Sequence, residues 1–221
     1  MQERLPGTAW ADVLGEDEGT VSVASARAAD WLVRLHGCGV VAPSGGRDDG
    51  TVARDMAREL AARFSDHAPR LGAVAGRLIE SLGSAYLLLV PSHGDYHPEN
   101  VLLTPASTAA IDFDRFGRRE AAHDAGYAIG QLLIMSHLRL GGFGAGAQAA
   151  LAFWERYGLG DEAGWSRVAT HVARTFLQSL HFELCVLGNG RVDLFGPWIG
   201  SMEKFLNADG PETLEDIIHH R

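Results

Sequence analysis

The chain has 221 residues, of which 46% are hydrophobic, and its formal net charge is -9. This size and composition suit one compact domain with a substantial apolar core. The acidic balance argues against a nucleic-acid partner, which would require a basic surface. No stretch approaches the roughly eighteen unbroken apolar residues of a membrane helix, so we expect neither a nucleic acid nor a membrane as partner.

The first residues, MQERLPGTAWADVLGEDEG, are acidic and lack the basic start and apolar run of a secretory signal. Cys38 and Cys185 form neither a disulfide framework nor a metal-binding spacing, and we expect both to be buried thiols. These features predict a cytoplasmic protein.

The predicted elements are mostly helical. Turn formers and scattered acids over 1–20 predict a hinge-like lead-in, with one helical turn at about 8–14. Apolar residues at helical spacing predict helices at about 22–37, 51–64, 69–82, 121–139, 145–157, 163–187, 196–207 and 212–220. Between them, 39–50 is predicted to be a loop and 86–90 either a strand or the end of the preceding helix.

One β-hairpin is expected in the middle of the chain. The short apolar runs Val101–Thr104 and Ala109–Phe113 are joined by PAST, a typical hairpin connection. The sequence therefore predicts an α+β, mainly helical fold. A lead-in over 1–20 precedes a helical lobe over 21–221, which has a small hairpin at its centre.

The stretch with the clearest chemistry runs from His93 to Asp124, HGDYHPENVLLTPASTAAIDFDRFGRREAAHD. Asn100 follows Asp95 by five positions, as in a protein-kinase catalytic loop, and Asp112 follows an apolar run. A strand out and a strand back would bring Asn100 and Asp112 together. Carboxylate and amide oxygens are ligands that Mg²⁺ accepts, so the spacing indicates a phosphoryl-transfer site.

Two other readings of this stretch remain open. His93, Asp95 and His97 would share one side of a strand and could bind zinc or iron in a metallohydrolase. That reading leaves Asn100 and Asp112 without a role. Alternatively, the lobe is a non-catalytic remnant or a binding module.

These residues carry a family resemblance. HGDYHPENVLL followed by IDFDRFGRREAAHDAGYA resembles the aminoglycoside phosphotransferase and choline kinase family, which has a protein-kinase-like fold. RAADWLVRLHG resembles the family's helix that ends in Leu-His, and MQERLPG resembles its hinge between two lobes. The dense part of the resemblance, 93–128, covers about a sixth of the chain.

The resemblance implies roles for single residues. Asp95 would be the catalytic residue that faces the acceptor hydroxyl, and Asn100 and Asp112 would bind Mg²⁺. His93 would support the loop, and Asp124 would brace it through hydrogen bonds to backbone. Asp114 and His97 are further possible site residues. The implied cosubstrate is ATP and the implied partner is a small molecule with a hydroxyl, either aminoglycoside-like, choline-like or sugar-like.

The family pattern fails on the nucleotide side. A phosphate-covering loop and a lysine are expected before the catalytic loop, but Lys204 is the chain's single lysine. The sequence thus predicts a C-terminal catalytic lobe whose nucleotide-binding residues are unknown and whose ATP binding is doubtful. A fragment or late start, a degenerate remnant, or a lobe supplied by a longer form or another chain would each explain this. We expect little activity from this chain alone.

Overall fold

The computed structural model describes residues 6–44, 48–84, 89–158 and 162–219. This part of the chain is mainly helical, as predicted, and it has two small sheets. The helices are α1 Glu18–His36, α2 Asp49–Arg63, α3 Ala68–Gly83, α4 Ala121–Leu140, α5 Gly144–Tyr157, α6 Glu162–His181, α7 Phe195–Leu206 and α8 Glu212–His219. The strands are β1 Thr8–Ala9, β2 Leu89–Ser92, β3 Val101–Leu103, β4 Thr108–Ala110 and β5 Gly117–Glu120.

Helix α4 is the centre of the packing. Every residue from Ala121 to Ser136 is buried, and α5 and α6 pack against it. A side chain at Gly126 would place its Cβ 2.6 Å from the carbonyl oxygen of Val168 on α6. One at Gly130 would meet Thr175 at 2.7 Å. Because these positions lack side chains, α4 and α6 approach closely and hold their polar residues in fixed relative positions.

Large aromatic residues fill the core around this contact. Trp10, Phe153, Trp165, Phe176 and Trp198 are each at most 1% exposed. Burying a side chain of this size stabilises the fold by about 1.5–3 kcal/mol. Dense aromatic packing therefore holds α4 and its neighbouring helices in fixed positions.

Helix α1 begins four residues earlier than predicted. The carboxylate of Asp17 accepts a hydrogen bond from the backbone N–H of Thr20 at 3.0 Å, which satisfies a free donor of the first turn. The helix therefore starts at Glu18 and crosses the predicted boundary between 20 and 21. The helical turn predicted at 8–14 is β1 followed by a short 3₁₀ helix, Trp10–Val13.

The predicted hairpin is confirmed. β3 and β4 are antiparallel, with Val101 opposite Ala110, and β1 pairs with the outer edge of β3. However, β4 ends at Ala110, so the prediction that the second strand runs on through Asp112 to Phe113 is wrong. After Ile111 donates its N–H to the Asn100 carbonyl at 2.9 Å, Asp112 adopts a left-handed conformation with φ of 64° and leaves the ladder.

A second sheet, β2 with β5, was not predicted. Ser92 lies opposite Gly117 and Leu89 opposite Glu120. The sequence of β5, GRRE, has no apolar alternation and so gives no strand signal. The predicted run 86–90 lies partly outside the described residues, and its last two residues belong to β2. This sheet joins the 93–100 loop to the start of α4.

Two smaller expectations concern the thiols and the membrane. Cys38 is exposed and Cys185 is partly exposed, so the expected burial of Cys38 is wrong: it follows the C-terminal end of α1, where the chain turns at the surface. Among the described residues, no helix combines the length and the apolar character that crossing a bilayer requires.

Candidate active site

Asp124, in the first turn of α4, holds the start of the 93–100 loop. Its carboxylate accepts hydrogen bonds from the backbone N–H groups of His93 at 2.7 Å and Gly94 at 2.9 Å. Gly94 has a φ of 81°, and a Cβ there would collide with the carbonyl of Arg115. A glycine is therefore required at this point for the loop to pass the 115 segment.

Asp124 is fully buried and ionised. Burial alone raises the pKa of its carboxyl, but hydrogen bonds from His123 and His36 outweigh that effect and hold the pKa well below its usual range. His36 Nε2 lies 3.2 Å from the carboxylate, and its Nδ1 lies 2.9 Å from the Tyr157 hydroxyl. His36 had no role in the sequence analysis beyond the Leu-His resemblance at the end of α1.

His93 is buried and occupied on both ring nitrogens. Its Nδ1 accepts the backbone N–H of Asp95 at 3.3 Å, so Nε2 carries the proton and donates to the Ile111 carbonyl at 2.9 Å. Phe113 packs on the ring with centroids 4.5 Å apart. His93 thus ties the loop to the end of the hairpin and has no free nitrogen for a metal.

Asp95 lies at the mouth of a cleft, where its side chain is 24% exposed. The Arg115 guanidinium lies 3.8 Å from its carboxylate. On the other side is the Tyr127 hydroxyl of α4. Burial and the hydrogen-bonded Asp95 carboxylate both raise the pKa of Tyr127, so this phenol stays protonated and donates to Asp95.

Asn100 and Asp112 lie beside Asp95. Asn100 Nδ2 donates to the backbone carbonyl of Asp95 at 3.1 Å, which leaves its Oδ1 as the free acceptor. The backbone N–H of Ile111 donates to the Asn100 carbonyl. Asp112, the residue after Ile111, therefore lies near Asn100. Asp112 is exposed and, among the described residues, has no ion-pair or hydrogen-bond partner. It is also the one non-glycine residue of that part of the chain with a positive φ.

The two further candidate residues differ. Asp114 is exposed, and it does not line the cleft. His97 does line the cleft, and its Nδ1 accepts the Glu99 N–H at 3.1 Å. Burial lowers the pKa of His97 from its ordinary value, which favours the neutral ring at pH 7.

The cleft has a volume of about 940 Å³ and lies between α2, α4, α6 and the 93–100 loop. It contains four arginines and four acids in addition to His97 and Tyr127. The arginines are Arg115, Arg119, Arg139 and Arg174, and the acids are Asp49, Asp95, Glu99 and Glu183. Asp112 is not among its lining residues, so the cleft lies on one side of Asp95 and the Asp112 carboxylate lies outside it.

The metal site expected for a metallohydrolase is not supported. His93 lacks a free nitrogen, and His93, Asp95 and His97 do not form a metal-binding group. Within the described ranges, the one group of three His, Cys, Asp or Glu ligands close enough to share an ion is Glu59, His181 and Cys185.

The sequence model of the family described as phosphotransferase enzyme family matches residues 1–171. Three solved structures share the fold. A choline/ethanolamine kinase family protein from Mesorhizobium loti is 19% identical with a TM-score of 0.59, over 91% of this chain and 67% of that one. Glucosamine kinase in complex with glucosamine, ADP and inorganic phosphate is 18% identical with a TM-score of 0.53, over 90% of this chain and 57% of that one.

The third is a gentamicin complex of the phosphotransferase APH(2")-IIa, 12% identical with a TM-score of 0.54, over 96% of this chain and 71% of that one. At these identities the likeness concerns the fold alone. The chain spans between 57% and 71% of the length of these structures. A search of curated protein sequences finds no match.

Proposed function

This chain belongs to the phosphotransferase enzyme family, and from that premise we propose that it transfers a phosphoryl group from ATP to a hydroxyl of a small molecule. The observation that carries the proposal is the set of hydrogen bonds that joins Asp95, Asn100 and the residue before Asp112. With this arrangement, the Asp95 carboxylate lies in a cleft large enough for a small molecule, and the Asp112 carboxylate lies just outside that cleft.

We assign Asp95 to the acceptor hydroxyl. A carboxylate at the mouth of the cleft can orient the attacking hydroxyl and accept its proton as the bond to phosphorus forms. Tyr127 and Arg115 hold this carboxylate from two sides. Positioning matters here because phosphoryl transfer needs little covalent help from the protein.

We assign Asn100 and Asp112 to Mg²⁺. The fit rests on the donor chemistry: within the described residues, Asn100 has its amide oxygen free and Asp112 presents an exposed, unpaired carboxylate. Oxygen donors of this type suit Mg²⁺, which keeps several waters in its shell. When bound, the ion would neutralise charge on the ATP phosphates. The left-handed backbone of Asp112 is the kind of strained conformation that concentrates at functional sites.

We place the main phosphate-binding groups for ATP outside these 221 residues. The single lysine, Lys204, is in α7, and the arginines nearest to Asp95 face the cleft. Glucosamine kinase, which shares the fold, is described with ADP. A longer form of this chain or a second chain would then supply the nucleotide lobe.

The test measures phosphoryl transfer from ATP to a panel of hydroxyl compounds by a longer form or by the chain with its partner. Asp95→Asn should lower the rate about 10²–10⁴-fold, as expected for loss of a general base, whereas Asp114→Asn should change it little. The 221-residue chain alone should turn over ATP negligibly. Full activity of the Asp95→Asn protein would refute the assignment, and robust transfer by the short chain would refute the external nucleotide lobe.

A further inference from the structure

The deep wall of the cleft contains two arginines from different elements. Arg119 comes from β5 and Arg174 from α6, and both line the cleft together with Asp49 of α2. No sequence motif marks either arginine: Arg119 lies in the polar run of β5, and Arg174 lies within α6.

Arg174 is paired with the Asp49 carboxylate. Arg174 lies 2.8 Å from Asp49, and His123 Nε2 lies 3.9 Å from the same group. Burial by itself raises the pKa of Asp49, but the positive charge around it, that of Arg174 first, outweighs burial and lowers the pKa. The environment of Asp49 is thus strongly electropositive.

Both arginines also carry an unused donor. The Nε atoms of Arg119 and Arg174 are buried and have no hydrogen-bond partner among the described residues. Leaving a buried donor unsatisfied costs about 1–3 kcal/mol, and more for a charged group. Native structures rarely keep such groups without a reason. Because both side chains line the cleft, an anion that draws the guanidinium groups toward it would supply the missing acceptors.

The nearby acids are already engaged. Glu120, next to Arg119 on β5, is held by both Nη2 and Nε of Arg167, at 2.7 Å and 3.1 Å. Glu99 pairs with Arg139 at 2.6 Å, and Glu183 accepts a hydrogen bond from Asn189. Among the acids that line the described cleft, Glu99 and Glu183 thus have partners, Asp49 is paired with Arg174, and Asp95 is the carboxylate assigned to the acceptor hydroxyl.

We infer that Arg119 and Arg174 form an anion subsite, and that the acceptor carries a carboxylate or phosphate group in addition to its hydroxyl. The planar guanidinium fork matches either anion. This inference rests on the proposed function, because it takes the cleft beside Asp95 as the acceptor site. It favours an anionic, sugar-acid-like acceptor over choline-like or aminoglycoside-like cations.

The test compares four probes built on one sugar ring: glucose, glucosamine, glucuronate and glucose 6-phosphate. Each is titrated into the 221-residue chain at fixed ionic strength, without nucleotide, by calorimetry or ligand-detected NMR. At least one anionic probe should bind about ten-fold or more tightly than glucose, and glucosamine should bind no better than glucose. Glucuronate and glucose 6-phosphate separate a carboxylate from a phosphate preference.

Two variants distinguish the subsite from net charge. Arg119→Gln should reduce the affinity for the anionic probe to that for glucose. Arg119→Lys keeps the charge but loses the two-pronged guanidinium, so its affinity for the anionic probe should lie between those of the wild type and Arg119→Gln. Arg118→Gln is the matched control. Arg118 is the preceding residue of β5, is exposed and does not line the cleft, so its loss removes the same charge and should leave the preference intact.

The subsite would be overturned by tighter binding of glucosamine, by equal or undetectable binding of all four probes, or by an unchanged preference in Arg119→Gln. A thermal midpoint for each variant verifies folding. Because the readout is binding without ATP, a chain that prefers anions but never transfers phosphate, even with its nucleotide lobe, would refute only the proposed function.

Discussion

The two sides of the candidate site differ in how firmly they are held. On the acceptor side, Asp124 and His93 fix the backbone around Asp95 with buried hydrogen bonds. On the metal side, Asp112 is exposed, unpaired among the described residues and strained. The polar groups of the first region are paired within the protein, whereas the second presents an exposed carboxylate that is available to a cation.

This difference predicts that the residues needed for folding and the residues needed for metal binding are not the same. Residues that brace Asp95 should be expensive to change because the fold depends on their buried contacts. Asp112, which contributes strain and no contact, should be dispensable for folding and essential for metal binding. The predictions below test each side of this comparison.

The largest effect on stability is expected from Asp124→Asn. An amide has one acceptor oxygen where the carboxylate offers two, so one N–H of the 93–94 backbone loses its partner, and His36 and His123 lose a charged hydrogen-bond partner. Breaking a buried charged network of this kind costs about 3–5 kcal/mol. Urea unfolding measures it.

The control for Asp124→Asn is Asp30→Asn, which removes an exposed ion pair with Arg156. An exposed pair contributes about 1 kcal/mol or less. Equal losses of unfolding free energy in the two variants would show that Asp124 does not brace the loop.

A smaller effect is expected from pH, through His171. Burial lowers the pKa of this histidine from 6.5 to about 4, so the folded protein keeps it neutral while the unfolded chain takes up a proton. Stability is therefore complete above pH 6.5 and falls as the pH drops toward 4, by about 3 kcal/mol at most.

His171→Gln should flatten this dependence between pH 6.5 and 4 when unfolding free energies are compared at a series of pH values. A slope that is the same in both proteins would contradict the buried, neutral histidine. The variant also lacks the contact of His171 with Glu120, which helps to lower the pKa of Glu120, so the slopes are compared at the upper end of this range, where Glu120 stays ionised.

The smallest difference is expected between two glycine variants. Gly94 and Gly39 have φ angles of 81° and 69°, but a Cβ at Gly94 meets the Arg115 backbone while one at Gly39 meets nothing within 4 Å. Gly39→Ala should lower the free energy of unfolding by about 1 kcal/mol, because alanine is disfavoured in the left-handed backbone conformation. Gly94→Ala should cost more by about 1–3 kcal/mol for overpacking, and similar melting temperatures would contradict the close approach.

Most of the fold follows from sequence patterns. The eight helices that the structure describes were each predicted, because their apolar spacing and flanking glycines are strong signals, and the apolar runs of the hairpin are equally clear. The start of α1 was predicted four residues too late. Its capping residue, Asp17, is flanked by the acids Glu16 and Glu18, so the sequence does not show which acid caps the helix. Strand β5 gave no signal because Arg118 and Arg119 are polar and the strand is formed by pairing with β2.

The site was predictable only in part. Asp95, Asn100 and Asp112 stand at readable spacings, and Asp124 came from a family resemblance. Tyr127, Arg119 and Arg174 belong to α4, β5 and α6, and the three side chains line one cleft only in the folded structure. No local pattern marks such residues, although His36 had a signal in the Leu-His pair at the end of α1.

The most direct test of the contrast between the two sides is a titration of the chain with Mn²⁺ as a paramagnetic substitute for Mg²⁺. Amide NMR signals should broaden first around Asn100 and Asp112, with weak affinity. Asp112→Ala should abolish the broadening and leave the protein folded, with a melting temperature lowered only slightly, while Asp114→Ala should leave both unaltered. Broadening that survives in Asp112→Ala, or unfolding of that variant, would contradict the account.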